Sequence, residues 1–349
     1  MRINKSYILL TALLCFWSIS YSQIGGDGVF KFLNLPNSAR IAALGGTYPV
    51  SQQRDISSGF QNPSLINKAD NGSLSLNYSN YISDINFGAL QYNFKIRNEN
   101  FASTLLYINY GNFEEADATG YLTGNTFSGG DYLLNIGYGK NWQNKIYYGA
   151  NLKVIYGAYD SYNSFALATD ISATYKDSTS NFSGGIIFRN IGYQLKPFDN
   201  KREHLPFEIA LAISQKLRHA PFRYHITYRN LQKFNLNYSD PNDTESGEDL
   251  FDENDSGKTG KGENLIRHFV LGGEFLLSES FNIQAGYNFQ RSKELSINGT
   301  GGLPGFSAGF SVHLKKLSFS YAHSRLNVAG GNNYFSLQLQ PSLFSGKKY

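Results

Sequence analysis

The chain has 349 residues, enough for one large domain or two ordinary ones, and only 17% of them are charged, against 35 Gly, 25 Tyr and 26 Phe. No run of about eighteen apolar residues occurs beyond the N-terminal stretch, which excludes a bundle of membrane-spanning helices. The formal charge of +4, from 31 basic and 27 acidic residues, is too small to suggest a nucleic-acid partner.

Residues 1–22 read as a cleaved secretory signal. Arg2 and Lys5 form a short positive start, residues 7–19 are mostly apolar, and the small residues Ser20 and Ser22 precede Gln23. Cys15 lies within the apolar run and follows Leu14, where a lipoprotein signal would carry a small residue. Cleavage would leave a mature chain with no cysteine and a net charge of about +2, because Arg2 and Lys5 leave with the signal.

Residues 23–71 lack alternation and are expected to form a plug or hatch. Ser38 is placed to cap a short helix running through Leu44, and Gly45-Gly46 to end it. Asp55 and the piece GFQNPSLI follow, in a segment too short and too rich in glycine to hold a core of its own.

From residue 72 the chain alternates apolar and polar side chains. The clearest stretch is 281–290, where Phe281, Ile283, Ala285, Tyr287 and Phe289 are separated by Asn282, Gln284, Gly286, Asn288 and Gln290. Successive side chains of a strand point to opposite faces, so this pattern gives one greasy and one wet face. Fourteen such segments are predicted: 72–81, 84–96, 101–110, 129–140, 145–157, 164–175, 182–191, 206–217, 222–234, 266–277, 281–290, 305–314, 317–324 and 334–340. Links after the even-numbered segments are short, whereas those after the third, seventh, ninth and eleventh are long. Sorting by parity is what short periplasmic turns and long external loops produce. The predicted fold is therefore all-β, a barrel of about fourteen antiparallel transmembrane strands (72–349) with an N-terminal hatch containing a short helix. Outer-membrane lipid surrounds it, and both termini are periplasmic. In segment 84–96 the apolar phase slips from Ile85, Phe87 and Ala89 to Leu90, Tyr92, Phe94 and Ile96, a candidate bulge.

The wet faces carry Arg189, Arg223, His225 and Arg229, lumenal candidates for pairing with hatch carboxylates such as Asp27 or Asp55, or for gripping an anion. The acidic loop at about 237–264 places Asp252, Asn254, Ser256, Gly257 and Glu263 at positions 1, 3, 5, 6 and 12 of a calcium-loop spacing. Ser256 replaces the usual Asp or Asn there, and Lys258 and Lys261 intrude, so Ca²⁺ is a weak expectation beside that of a solvated loop. No serine elbow, zinc-protease motif or phosphate loop occurs, and no catalytic or cofactor-binding residue is expected.

The stretch GGDGVFKFLNLPNSARIAALGGTYPV from Gly25, with Asp55, Asn62-Pro63-Ser64-Leu65 and the later RHFVLGGEFLLSESFNIQAGYNF, resembles the PorQ proteins of the Bacteroidetes type IX secretion system. More distantly it is similar to PorV and the long-chain fatty-acid transporters, in which a hatch fills a fourteen-stranded barrel. The resemblance implies a non-enzymatic outer-membrane anchor of the cell-surface attachment complex, with a PorZ-like surface protein and PorU- and PorV-like components as partners. The alternative is a FadL-like transporter of a hydrophobic solute, gated by the hatch.

Overall fold

The computed structural model describes residues 28–51, 54–81, 85–117, 119–236, 261–295, 303–327 and 330–340. Their strands are β1 (Leu74–Asn80), β2 (Asn86–Ile96), β3 (Glu99–Ala116), β4 (Leu122–Trp142), β5 (Ile146–Tyr159), β6 (Tyr162–Asp177) and β7 (Phe182–Lys196). β8 (Glu208–Lys216), β9 (Phe222–Tyr228), β10 (Phe269–Leu276), β11 (Phe281–Asn288), β12 (Phe306–His313), β13 (Leu317–Asn327) and β14 (Gly330–Leu339) complete the set. Each pairs antiparallel with the next, and β14 returns to β1, so the described strands form a closed barrel of fourteen. Closure leaves no sheet edge, which a bilayer demands because hydrocarbon offers no partner to a free N–H or C=O.

All fourteen predicted segments fall on strands, because the alternation has a physical cause. Leu76, Tyr78, Leu90, Tyr92, Leu105 and Tyr107 project outward, whereas Ser75, Asn77, Gln91, Asn93 and Thr104 are buried inside. An apolar exterior around a polar interior is the pattern of a barrel standing in lipid.

Two expectations need correction. The phase slip in segment 84–96 is no bulge, since β2 pairs without interruption with both β1 and β3. Phe87 and Ala89 face the lumen while Leu90 and Tyr92 face outward, so what changes along β2 is the polarity of the lumen. The expected loop at 112–128 is largely a ribbon: β3 and β4 continue to pair from Asn112↔Ser128 to Ala116↔Leu122. A register shift between Asn109 and Asn112 breaks the alternation there, and stacking of Phe113 on Phe127, with centroids 5.4 Å apart, supports the extension.

The hatch follows its sequence signals. Helix α1 (Ala39–Ala43) is capped by Ser38, whose Oγ accepts from the Ile41 N–H at 3.4 Å, and it ends at Gly45 and Gly46, with φ of 79° and 80°. Helix α2 (Ser58–Gln61) leads into the turn Pro63–Leu65, which Asn62 organises. Asn62 Oδ1 accepts from the Ser64 N–H at 3.2 Å and its hydroxyl at 2.6 Å, while Nδ2 donates to the Pro49 carbonyl at 2.7 Å and to Thr174 of β6 at 3.2 Å. Asn62→Ala leaves several of these buried groups without partners, and we expect it to cost about 2 kcal/mol. Midpoint shifts of heat-modifiable gel mobility would measure this; an unchanged midpoint would make the turn dispensable.

The hatch also bridges the closing seam. Ser336 Oγ of β14 accepts from the Ala39 N–H at 2.8 Å and donates to Asn77 of β1 at 2.6 Å. Gln338 of β14 accepts from the Ile56 N–H at 3.2 Å, and Ser57 contacts Ser75 of β1 at 2.8 Å.

Candidate functional site: hatch and lumen

Lumen-facing side chains of β5–β10 fasten the hatch through three buried polar clusters. In the first, Glu274 of β10 receives Arg40 of α1 through Nε at 2.7 Å and Nη2 at 3.0 Å, with His225 at 3.0 Å and Arg223 at 3.4 Å on the same carboxylate. In the second, Glu208 of β8 accepts from Arg229 at 2.7 and 2.9 Å and from the hydroxyl of Tyr48, a hatch residue. Arg189 of β7 donates to that hydroxyl at 2.8 Å and to the Leu33 carbonyl at 2.7 Å. Burial pushes the Tyr48 phenol up to about 12 despite the two nearby guanidinium groups, which keeps it a neutral donor. In the third, Lys153 of β5 lies 2.7 Å from Asp170 of β6, also donates to Asn190 at 2.9 Å and stands over the hatch ring of Phe60.

Arg189, Arg223, His225 and Arg229 thus all meet in the lumen around the hatch, but not on the partners the sequence suggested. Asp55 accepts from Ser38 at 2.8 Å and from the Ser57 N–H at 3.1 Å inside the hatch, and Asp27 lies outside the described residues. The carboxylates that receive the barrel cations, Glu208 and Glu274, are on the barrel itself. The alternation that put Arg223 inside would have found Glu208, the polar residue between Phe207 and Ile209, and Glu274 next to it across β9 and β10. The second signal missed was a cation on the hatch, Arg40 in α1.

Of the calcium-loop residues, Asp252, Asn254, Ser256 and Gly257 lie outside the described residues. Glu263 sits in helix α3 (Lys261–Arg267), where its carboxylate is 2.9 Å from Lys293 and 3.4 Å from Arg267.

Toward the long-loop end the lumen changes character. Phe87, Ala89, Leu106, Ile108, Leu133 and Ile155 of β2–β5 form an apolar wall, and Phe30, Phe32, Leu33 and Phe60 of the hatch fill the space before it together with Leu205. Among the polar groups that border it is a carboxylate. Asp131 of β4 accepts from the Tyr110 and Tyr159 hydroxyls on Oδ2, at 2.8 and 2.9 Å, while its buried Oδ1 has no hydrogen-bond partner among the described residues. Phe30 and Phe198 flank that oxygen above Gly157.

The wall's ladder is also interrupted between β7 and β8. β7 runs to Lys196, but its pairing with β8 ends at Arg189↔Glu208. Asn190, with φ of 54°, marks a bulge, and the β6–β7 register shifts between Thr169 and Ile171.

No protein-family model matches the chain, and no curated protein is similar to it. Solved barrels are. A toluene transporter of Ralstonia pickettii, TbuX, superposes with a TM-score of 0.51 at 10% identity, covering 89% of this chain and 99% of its own. The Pseudomonas putida toluene transporter TodX gives 0.49 at 10% identity over 86% and 96% of the two chains, and a Pseudomonas aeruginosa FadL homologue gives 0.45 at 10% over 87% and 98%. This chain has the closed fourteen-stranded barrel fold of TbuX.

Proposed function

We propose that this barrel admits a hydrophobic solute at its long-loop end, taken to face the outside, into the apolar compartment that the hatch now fills. The observation that carries the reading is the lumen's change from polar to apolar along β2–β5. The wall now buries Phe30, Phe32 and Leu33 of the hatch, and a greasy solute that took their place would leave water there at about 25 cal/mol per Å² of apolar surface. The fold shared with TbuX, a toluene transporter, supports the same reading. Phe30 would swing aside as the solute enters, and the interruption between β7 and β8 offers a way out through the wall. Phe30→Ala is expected to raise binding of a monoaromatic or fatty-acid probe severalfold in native mass spectrometry of the detergent-purified protein. No bound probe in either form would sink the proposal.

A second reading is favoured by the ribbon of β3 and β4, where Tyr121 and Leu122 are exposed beyond the barrel, and by the number of buried bonds that hold the hatch. In it the chain is the non-enzymatic anchor that the PorQ-like N-terminal sequence implies. It would dock a PorZ-like surface protein beside PorU- and PorV-like components of type IX secretion. Mild extraction from the native outer membrane distinguishes the two. A stoichiometric surface protein lost on deletion of residues 112–128 supports the anchor, and a lone barrel carrying solute supports the transporter.

A further inference from the structure

At the opposite, short-turn end a cavity of about 440 Å³ opens beneath the hatch. Its walls come from three turns and strand ends that are far apart in sequence. Arg54 belongs to the hatch, His313 to the end of β12, Lys315 and Lys316 to the β12–β13 connection, and Glu279 to the β10–β11 turn. Three permanent cations therefore face one carboxylate. Arg54 and Lys315 are exposed, so their heads are available to a ligand. Arg54 makes no hydrogen bond or ion pair among the described residues, unlike Arg40, Arg223 and Arg229, which are all committed to carboxylates.

His313 supplies a second, independent observation. Its side chain is buried, its Nδ1 is 3.0 Å from Ser318 Oγ, and its backbone N–H donates to the Ser280 carbonyl at 2.8 Å. Nε2 has no partner among the described residues, although the ring lines the cavity. Gln338, on the same wall, is fixed by the Ile56 N–H at 3.2 Å. A polar wall held in place by the hatch, with a forked guanidinium and an ammonium above it, matches the donor set that receives phosphate oxygens.

We propose that this cavity is a binding site for a phosphate-bearing anion. The volume exceeds that of inorganic phosphate and lies within the range of small-molecule sites, so the natural ligand would be a phosphate ester. It could come from the headgroup of an anionic phospholipid in the adjacent leaflet or from a soluble phosphate ester. The site is separate from the apolar compartment, and it does not depend on what the lumen passes.

The test uses the full chain purified in mild detergent. Inorganic phosphate and glycerol 3-phosphate are titrated by calorimetry, and retention of phosphatidylglycerol against phosphatidylcholine is read by native mass spectrometry. Arg54→Gln and Lys315→Gln, both exposed and outside the three buried clusters, should each weaken binding about tenfold, as loss of one charge-assisted bond would. Lys140→Gln should leave it unchanged, because Lys140 pairs with Glu99 elsewhere on the rim. Binding of the soluble probes, lost in the variants, supports the site with a soluble ligand. Selective retention of phosphatidylglycerol alone, lost in the same variants, supports it with a lipid headgroup. If neither class binds, or if both variants bind like the wild type, the proposal is overturned.

Discussion

Glu274→Ala is expected to be the most damaging substitution of a lumenal charge, costing about 3–5 kcal/mol and releasing the hatch. The side chains of Arg40 and Glu274 are only 3% and 1% exposed, so water cannot replace the lost carboxylate. Its removal leaves Arg40 without its bidentate partner, and Arg223 and His225 without theirs. Arg40 keeps a 3.2 Å bond to the Ser51 carbonyl, which is too little to hold a buried guanidinium. Hydrogen exchange should therefore quicken over residues 36–50, and the unfolding midpoint should fall. The pair Arg40→Met with Glu274→Met should recover part of the loss, because replacing a buried pair by packed apolar groups is often near neutral. Unchanged hatch protection in Glu274→Ala would mean that packing alone seats the hatch.

The second large effect is expected from Gly286→Val. A Cβ at Gly286 would stand 2.1 Å from the Leu44 carbonyl carbon and 2.2 Å from the Gly45 nitrogen, which are backbone atoms at the end of α1. No rotamer change relieves a clash with backbone, so the penalty lies at or above the top of the ordinary overpacking range of about 1–3 kcal/mol. The strand itself tolerates valine well, and the barrel should still close. What yields is the seating of the hatch. Planar-bilayer recording should find a nearly silent wild type and a conducting variant. Gly88→Val, on β2, where a Cβ would meet nothing within 4 Å, should remain silent. A silent Gly286→Val barrel with native hatch protection would refute the close fit as the seal.

The barrel was legible because each strand carries the period-two signature of its two faces, most plainly in Phe281–Asn288. The helix in the hatch was legible because Ser38 and Gly45-Gly46 mark its ends. Pairings were harder to read. Arg229 meets Glu208 because antiparallel closure brings β8 beside the end of β9, and a lone strand cannot say which neighbour lies opposite. The slip at Ala89-Leu90 misled because alternation reports a contrast between two faces. Where the lumen itself turns apolar, at Phe87 and Ala89, the contrast vanishes although the strand continues. The ribbon at 112–128 was hidden for a related reason, since both its faces meet water.

The hatch's grip on both β1 and β14 bears on how the barrel is made. Asn77 and Ser336, which meet at the seam, are 259 residues apart, so pairing β1 with β14 closes the longest loop of the barrel and carries the greatest chain entropy to overcome. Because the hatch is joined directly to β1 and bonds Ser336 and Gln338 of β14, it spans the seam from within, so the contacts that seat the stopper also tie the last strand to the first.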